Sequence, residues 1–255
     1  YYWFGEHKIA GEAGNAAHVG VHVYSSRDLY NWRDEGIALS VSEDANNDIA
    51  RGCILERPKV IFNTRTKKFV MWTHLEQGRY LFARAGIAVS DSPTGLFTFL
   101  KAVRPIANTN DFARDNSDPT RQKKFGGTFR DMNLFVDTDG KAYVFYSSED
   151  NWTMYVARLN DDFTGPELPP VENKTWARIL VRQMREGAAP FKWNGKYFLI
   201  TSACTGWKPN AANYSVAENM LGPWKTFGNP CVGLNADTTF GAQSTFVLPM
   251  PGKTN

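Results

Sequence analysis

Pro190-Phe191-Lys192-Trp193-Asn194-Gly195-Lys196-Tyr197-Phe198-Leu199-Ile200 reads as two aromatic-rich strands joined by a two-residue turn. Asn and Gly both accept the positive φ that a tight hairpin turn demands, so this dipeptide between apolar runs is a strong hairpin signal. The pattern recurs upstream. Lys59-Val60-Ile61-Phe62 and Lys68-Phe69-Val70-Met71-Trp72 flank the turn Asn63-Thr64-Arg65-Thr66. Leu134-Phe135-Val136 and Ala142-Tyr143-Val144-Phe145-Tyr146 flank Asp137-Thr138-Asp139-Gly140. No long segment carries a 3.6-residue apolar period, so the chain is expected to be almost entirely β.

Working outward, each hairpin is followed by another strand and a short turn with a glycine and an aromatic residue. Ala88-Val89-Ser90-Asp91 precedes Gly95-Leu96-Phe97, and Val216-Ala217-Glu218 precedes Gly222-Pro223-Trp224. The opening segment ends alike, with Val23-Tyr24-Ser25-Ser26 before Leu29, Asn31 and Trp32. Four-stranded units with periodic Gly/aromatic turns mark a β-propeller, in which stacked units bury a core that one unit could not bury alone. Composition does not shift along the chain, so residues 1–255 are read as one catalytic propeller domain. The start inside a strand (Tyr1-Tyr2-Trp3-Phe4) and the stop at the turn Pro251-Gly252-Lys253-Thr254-Asn255 read as a piece trimmed at both ends, with incomplete first and last blades.

The balance of residues narrows the function. Net charge is only +3 over 255 residues and the basic residues are scattered; the densest run, Arg121-Gln122-Lys123-Lys124, sits in a polar loop. That argues against a nucleic-acid partner. No segment approaches the ~20 apolar residues of a membrane helix. Aromatics reach 14%, which serves strands and core, and also suits sugar binding, because pyranose C–H faces stack on such rings.

A polar group recurs at the start of the first hairpin strand of successive repeats: Glu56 before Arg57-Pro58-Lys59-Val60, Asp131 after Phe129-Arg130, Glu186 after Arg185, and Gln243 before Ser244-Thr245-Phe246-Val247. First strands line a propeller's axis, so these four side chains are expected to meet in one central pocket. Converging carboxyls suit glycoside hydrolysis, in which one protonated acid serves the leaving oxygen while other groups activate water and orient the sugar. Crowding also raises one carboxyl's pKa and keeps it protonated near neutrality. The competing reading is structural: Glu56-Arg57, Arg130-Asp131 and Arg185-Glu186 are acid–arginine neighbours that could form blade-end ion pairs.

Glu56-Arg57-Pro58-Lys59-Val60, Phe129-Arg130-Asp131-Met132-Asn133-Leu134-Phe135, Arg185-Glu186, Thr201-Ser202-Ala203-Cys204-Thr205-Gly206-Trp207-Lys208-Pro209-Asn210 and Gln243-Ser244-Thr245 resemble glycoside hydrolase family 43, most of all its exo-β-1,3-galactanases. The resemblance covers nearly the whole chain. It implies a five-bladed propeller, cleavage with inversion, release of galactose from β-1,3-galactan, and a secreted or periplasmic location. It implies Glu186 as general acid and Asp131 as the carboxylate that orients it and tunes its pKa. It implies Gln243 as holder of the attacking water, while Glu56, a galactose contact, is the rival for the base. Glu6, Tyr80, Asn151, Thr205 and Trp207 fall near sugar-contacting positions. One departure is Glu186-Gly187-Ala188-Ala189-Pro190, where the family commonly has Glu-Ala-Pro-Ala.

Other features add less. His7, His18, His22 and His74 show no paired metal-ligand spacing, and His74 is read as a core or rim residue. Cys204 and Cys231 flank one repeat and are candidates for a disulfide; two free thiols are the alternative. No cofactor is expected, and a structural calcium of the kind some family propellers hold stays open. The expected partner is a polysaccharide or oligosaccharide, with room for an appended carbohydrate-binding module. Two other readings remain: a related hydrolase acting on arabinofuranosides or other β-galactosides, and a sugar-binding propeller without catalysis.

Overall fold

The computed structural model describes residues 1–11, 13–78, 80–107 and 127–250. The polar loop with Arg121–Lys124 and the turn from Pro251 lie outside the described residues. Among the described residues fifteen strands form four antiparallel sheets, each a meander in chain order. Blade 1 holds β1 (Tyr2–Lys8), β2 (His18–Ser26) and β3 (Trp32–Ser40). Blade 2 holds β4 (Ile54–Asn63), β5 (Lys68–Glu76), β6 (Arg84–Ser90) and β7 (Thr98–Val103). Blade 3 holds β8 (Arg130–Val136), β9 (Ala142–Ser148), β10 (Thr153–Arg158) and β11 (Trp176–Ile179). Blade 4 holds β12 (Arg185–Trp193), β13 (Lys196–Ala203), β14 (Asn213–Ala217) and β15 (Lys225–Gly228).

The three quoted hairpins are β4–β5, β8–β9 and β12–β13. Their registers close as expected, with Phe62 opposite Phe69, Val136 opposite Ala142 and Trp193 opposite Lys196. Asn194 (φ 46°) and Gly195 (φ 77°) both take the positive φ of the tight turn.

Strand alternation explains the stacking, because each blade sends alternate residues to its two neighbours. On β5, Val70 and Trp72 enter the core between blades 2 and 3, while Met71 and Leu75 enter the core between blades 1 and 2. On β9, Val144 and Tyr146 pack toward blade 2, while Phe145 joins Met154, Val156 and Leu199 against blade 4. Trp72, wholly buried, also donates its indole N–H to the Phe163 carbonyl at 2.8 Å, so its one polar atom is satisfied.

The structure corrects the blade count: the described residues form four blades, not five. After β15 come a 3₁₀ turn at Ala236–Gly241 and an extended run to residue 250 that joins no sheet. Gln243-Ser244-Thr245, expected to begin a blade, forms no strand and pairs with none. Among the described residues no core cluster joins blade 4 to blade 1. The 242–250 run is instead tied to the inner strands by polar contacts. Asn133 Nδ2 donates to the carbonyls of Ala188 at 2.8 Å and Thr245 at 2.6 Å, and Ser244 Oγ donates to the Gly187 carbonyl at 2.5 Å.

Candidate active site

Glu56, Asp131 and Glu186 lie within the first strand of blades 2, 3 and 4, each beside the same local irregularity. In β4 the register passes from Glu56–His74 to Lys59–Trp72, leaving Arg57 and Pro58 opposite Thr73 alone. In β8 it passes from Arg130–Ser147 to Asn133–Phe145, and in β12 from Glu186–Ser202 to Ala189–Ile200. Each is a β-bulge with one extra residue in the inner strand, a device that re-aims side chains. The first bulged residue takes positive φ every time: Arg57 at 53°, Asp131 at 45° and Gly187 at 62°. Asp131 is therefore the structural counterpart of Arg57 and Gly187, and Arg130 that of Glu56 and Glu186. The sequence reading, which aligned Asp131 with the two glutamates, was one residue out.

These bulges and the 242–250 run bring four groups into a continuous chain of contacts. Arg57 Nε donates to Asp131 Oδ1 at 2.8 Å, and Arg57 Nη2 donates to Gln243 Oε1. Gln243 Nε2 in turn donates to Glu186 Oε1 at 3.1 Å and to Ser202 Oγ at 2.5 Å. Gly187 leaves room for this, since a Cβ there would sit 3.1 Å from Gln243 Cγ and Cδ. The departure from Glu-Ala-Pro-Ala thus falls where a small residue at positive φ lets the amide approach the acid.

Neighbouring acid–arginine pairs do not form. Arg57 pairs with Asp131, Arg130 with Glu76 and Asp150, and Arg185 bonds Thr201 through its hydroxyl at 3.0 Å and its carbonyl at 2.7 Å. The arginines tie the inner strands together rather than neutralising the acids beside them in sequence.

The electrostatics separate two carboxyls. Burial pushes the Glu186 carboxyl up to about 7, the nearby Asp131 charge pushes the same way, and contacts with Cys204, Gln243 and Arg57 offset only part of it. Glu186 can therefore carry a proton near neutrality. Glu6 behaves oppositely: burial alone would raise it, but His18 and Lys8 outweigh that and hold it at about 2. Lys8 Nζ lies 3.1 Å from Glu6 Oε2. His18 Nδ1 accepts the Leu55 N–H at 2.8 Å, which leaves Nε2 to face Glu6 at 3.4 Å. Lys59 is pushed down to about 8 by burial and by the Arg57 charge.

The remaining residues divide. Tyr80 OH donates to Glu56 Oε1 at 2.6 Å and accepts from Asn15 at 2.7 Å, and Lys8 reaches Asn15 at 3.0 Å, so Glu6, Tyr80 and Glu56 share one polar rim. Asn151 ends the left-handed run Glu149 (φ 52°), Asp150 (φ 54°) and Asn151 (φ 64°) between β9 and β10. Its Oδ1 is buried without a partner among the described residues, which leaves an acceptor for a ligand hydroxyl. Thr205 is committed locally, donating to the Lys208 carbonyl at 2.5 Å and accepting from Asn210 at 2.7 Å. Trp207, 89% exposed on the β13–β14 loop, presents an open ring and touches none of the groups above.

Cys204 and Cys231 are not joined to each other, so the disulfide considered from the sequence does not form. Cys204 Sγ faces the Asn151 carbonyl at 3.7 Å and also contacts Glu186, and that inward orientation uses the thiol inside the site. The sequence reading missed Arg57, Ser202, Cys204 and Arg130 as site members. All four stood in the quoted motifs, but only the bulges and the β13 pairing show where they point. Among the described residues no cluster of His, Cys, Asp or Glu is arranged to hold a metal ion.

The fold has counterparts among known proteins. The profile of "Glycosyl hydrolases family 43" matches residues 1–239. The GH43 β-1,3-galactosidase BT3683, solved with galactodeoxynojirimycin, is similar with a TM-score of 0.85 at 46% identity, over 98% of this chain and 79% of that one. The exo-β-1,3-galactanase 1,3Gal43A from Clostridium thermocellum gives 0.81 at 34% identity, over 99% of this chain and 50% of that one. The exo-β-1,3-galactanase of Phanerochaete chrysosporium, solved with β-1,3-galactotriose, gives 0.79 at 29% identity, over 98% and 51%. The chain spans about half the length of the last two. No curated protein matches it.

Proposed function

The chain belongs to glycosyl hydrolase family 43 and is a glycoside hydrolase, and we propose that it releases galactose from the ends of β-1,3-galactan chains with inversion at the anomeric carbon. One observation carries the mechanism: a buried carboxyl, Glu186, raised to about 7 and hydrogen-bonded to the Gln243 amide. The three similar structures described above are a β-1,3-galactosidase and two exo-β-1,3-galactanases, which supports galactan over arabinoside substrates.

Glu186 gives its proton to the glycosidic oxygen as the bond to the anomeric carbon breaks. Water held at Gln243 Oε1, which Arg57 orients through Nη2, attacks from the opposite face; as its oxygen bonds the anomeric carbon it sheds a proton to solvent, and solvent returns a proton to Glu186. An inverting site needs roughly 6.5–9.5 Å between its acid and its water-holding group. Gln243 lies in direct contact with Glu186, so the incoming sugar must part them. The 242–250 run belongs to no sheet, so this movement breaks side-chain contacts and no ladder bonds. Asp131 keeps the acid protonated by its charge, and Arg57 holds Asp131 in place. Glu56 has both oxygens engaged, by Tyr80 and His74, which favours a sugar-contacting role over activation of water. Glu6 and Asn151 supply further acceptors for galactose hydroxyls. A polymeric substrate is cut outside the cytoplasm, so a secreted or periplasmic location goes with this reading.

The test is to supply β-1,3-galactan, β-1,3-galactobiose, an aryl β-galactoside and an aryl arabinofuranoside, and to follow the first product by proton NMR. Galactose appearing first as the α-anomer supports the proposal. Initial β-anomer means retention and a different assignment of roles, and faster turnover of the arabinofuranoside removes galactan as the substrate.

A further inference from the structure

His74, on β5, is 2% exposed and sits between two acids. Its Nδ1 lies 3.0 Å from Glu56 Oε2 on β4, and its Nε2 lies 3.1 Å from Glu76 Oε1 on β5 itself. Only Nε2 is aligned for a hydrogen bond, to Glu76, and the Nδ1 contact with Glu56 is one of charge; two carboxylates at ion-pair distance from the two ring nitrogens favour the doubly protonated cation. The far acid is immobile. Glu76 is fully buried, with Oε1 also accepting from Arg130 Nε at 3.2 Å and Oε2 accepting the Ala83 N–H at 2.9 Å. Arg130, on β8, is pinned in turn by Asp150 at 3.0 Å and by the Tyr80 carbonyl at 2.6 Å.

We propose that His74 is a positioning residue: as an imidazolium clasped between Glu56 and Glu76, it locks the Glu56 carboxylate at the sugar-facing rim. Tyr80 OH donates to one Glu56 oxygen and the imidazolium charge lies 3.0 Å from the other, which opposes a turn of the carboxylate toward Arg57 on its own strand. The charged groups facing the ring are Glu56 from β4, Glu76 from β5, Arg130 and Asp131 from β8, with Tyr80 beside it, its ring centroid 6.2 Å away. Burial by itself would lower the ring's pKa, but Glu56 and Glu76 outweigh it and bring it to about 9. The clasp is therefore complete at neutral pH and is lost as pH rises through about 9.

That Glu56 meets galactose rests on the proposed function, so the experiment has two separate arms. The first uses nitrogen-15 NMR of the histidine rings in the wild-type protein, with the His74 signal assigned by its loss in His74→Gln. The ring should be cationic at pH 7.5, and Glu76→Gln should move its midpoint down by about one pH unit or more. A neutral ring at pH 7.5 overturns the proposal and needs no variant to fold. The second arm measures galactose affinity by calorimetry at pH 7. His74→Gln, with its circular dichroism unchanged, should bind about tenfold more weakly. A cationic ring with wild-type affinity in that variant overturns the positioning role. If galactose binds neither protein, the substrate assignment fails instead, and the ring titration still upholds or overturns the clasp.

Discussion

In the proposed mechanism Glu186 and Gln243 divide the chemistry by what each side chain can do with a proton. Glu186→Gln keeps the size of the group and removes the proton it donates, so turnover on galactan should fall by about 10²–10⁴-fold. An aryl galactoside with a good leaving group needs little protonation and should lose far less. Gln243→Ala should slow both substrates to a similar degree, because water must be held whatever leaves. Parallel rates on the two substrates decide this, and near-normal turnover by Gln243→Ala would move water activation to Glu56. The pH dependence has a definite sign. A carboxyl raised to about 7 is protonated below that value, so turnover on galactan should fall as pH rises through about 7. That alkaline limb should be absent in Glu186→Gln assayed on the activated substrate.

A bulge repeated in three inner strands is what turns these residues toward a common centre, and its third copy is built with glycine. Gly187 has a positive φ that already disfavours a side chain, and a Cβ there would press on Gln243 at 3.1 Å. Gly187→Ala should cost about 1–2 kcal/mol of stability and displace the amide from Glu186. In the double variant Gly187→Ala/Gln243→Ala the crowding is gone, so denaturant titrations should show a combined loss smaller than the sum. Strictly additive losses would mean that the two side chains do not compete for the space. The hairpins themselves were legible from Asn-Gly, Asp-Gly and apolar alternation, since turn chemistry and period are local properties. The bulges were not, because Arg57, Asp131 and Gly187 share no residue type, and their common feature is a ladder register set by the partner strand.

Across the whole molecule, stability and activity depend on different contacts. The cores run between blades 1 and 2, 2 and 3, and 3 and 4, and the 242–250 run contributes to none of them. Ending the chain after Gly241 should therefore leave the circular dichroism intact and lower Tm by only a few degrees, while galactose release is lost with Gln243. A collapse of the β signal would show that the run closes the propeller. Trp72→Ala opens a cavity in the core between blades 2 and 3 and should cost about 3–5 kcal/mol, measured by denaturant unfolding.

The sequence by itself determined that the chain is a repeating all-β propeller and which polar residues recur at the head of its repeats, because strand period, turn residues and motifs are written locally. It also pointed to family 43 through Glu56–Val60, Phe129–Phe135 and Gln243–Thr245. The number of blades was decided only by the tertiary structure, since a segment becomes a blade only when strands pair around it, and the Gln243 segment forms no strand. The partners of the arginines were decided there as well. Arg57 and Arg130 pass over the acids beside them in sequence and pair with acids brought close by other strands. The same holds for His74, unremarkable after Met71-Trp72-Thr73, whose setting between Glu56 and Glu76 exists only once β4 and β5 are paired. Charge–charge contacts depend on distance in space, and that distance is set by sheet register.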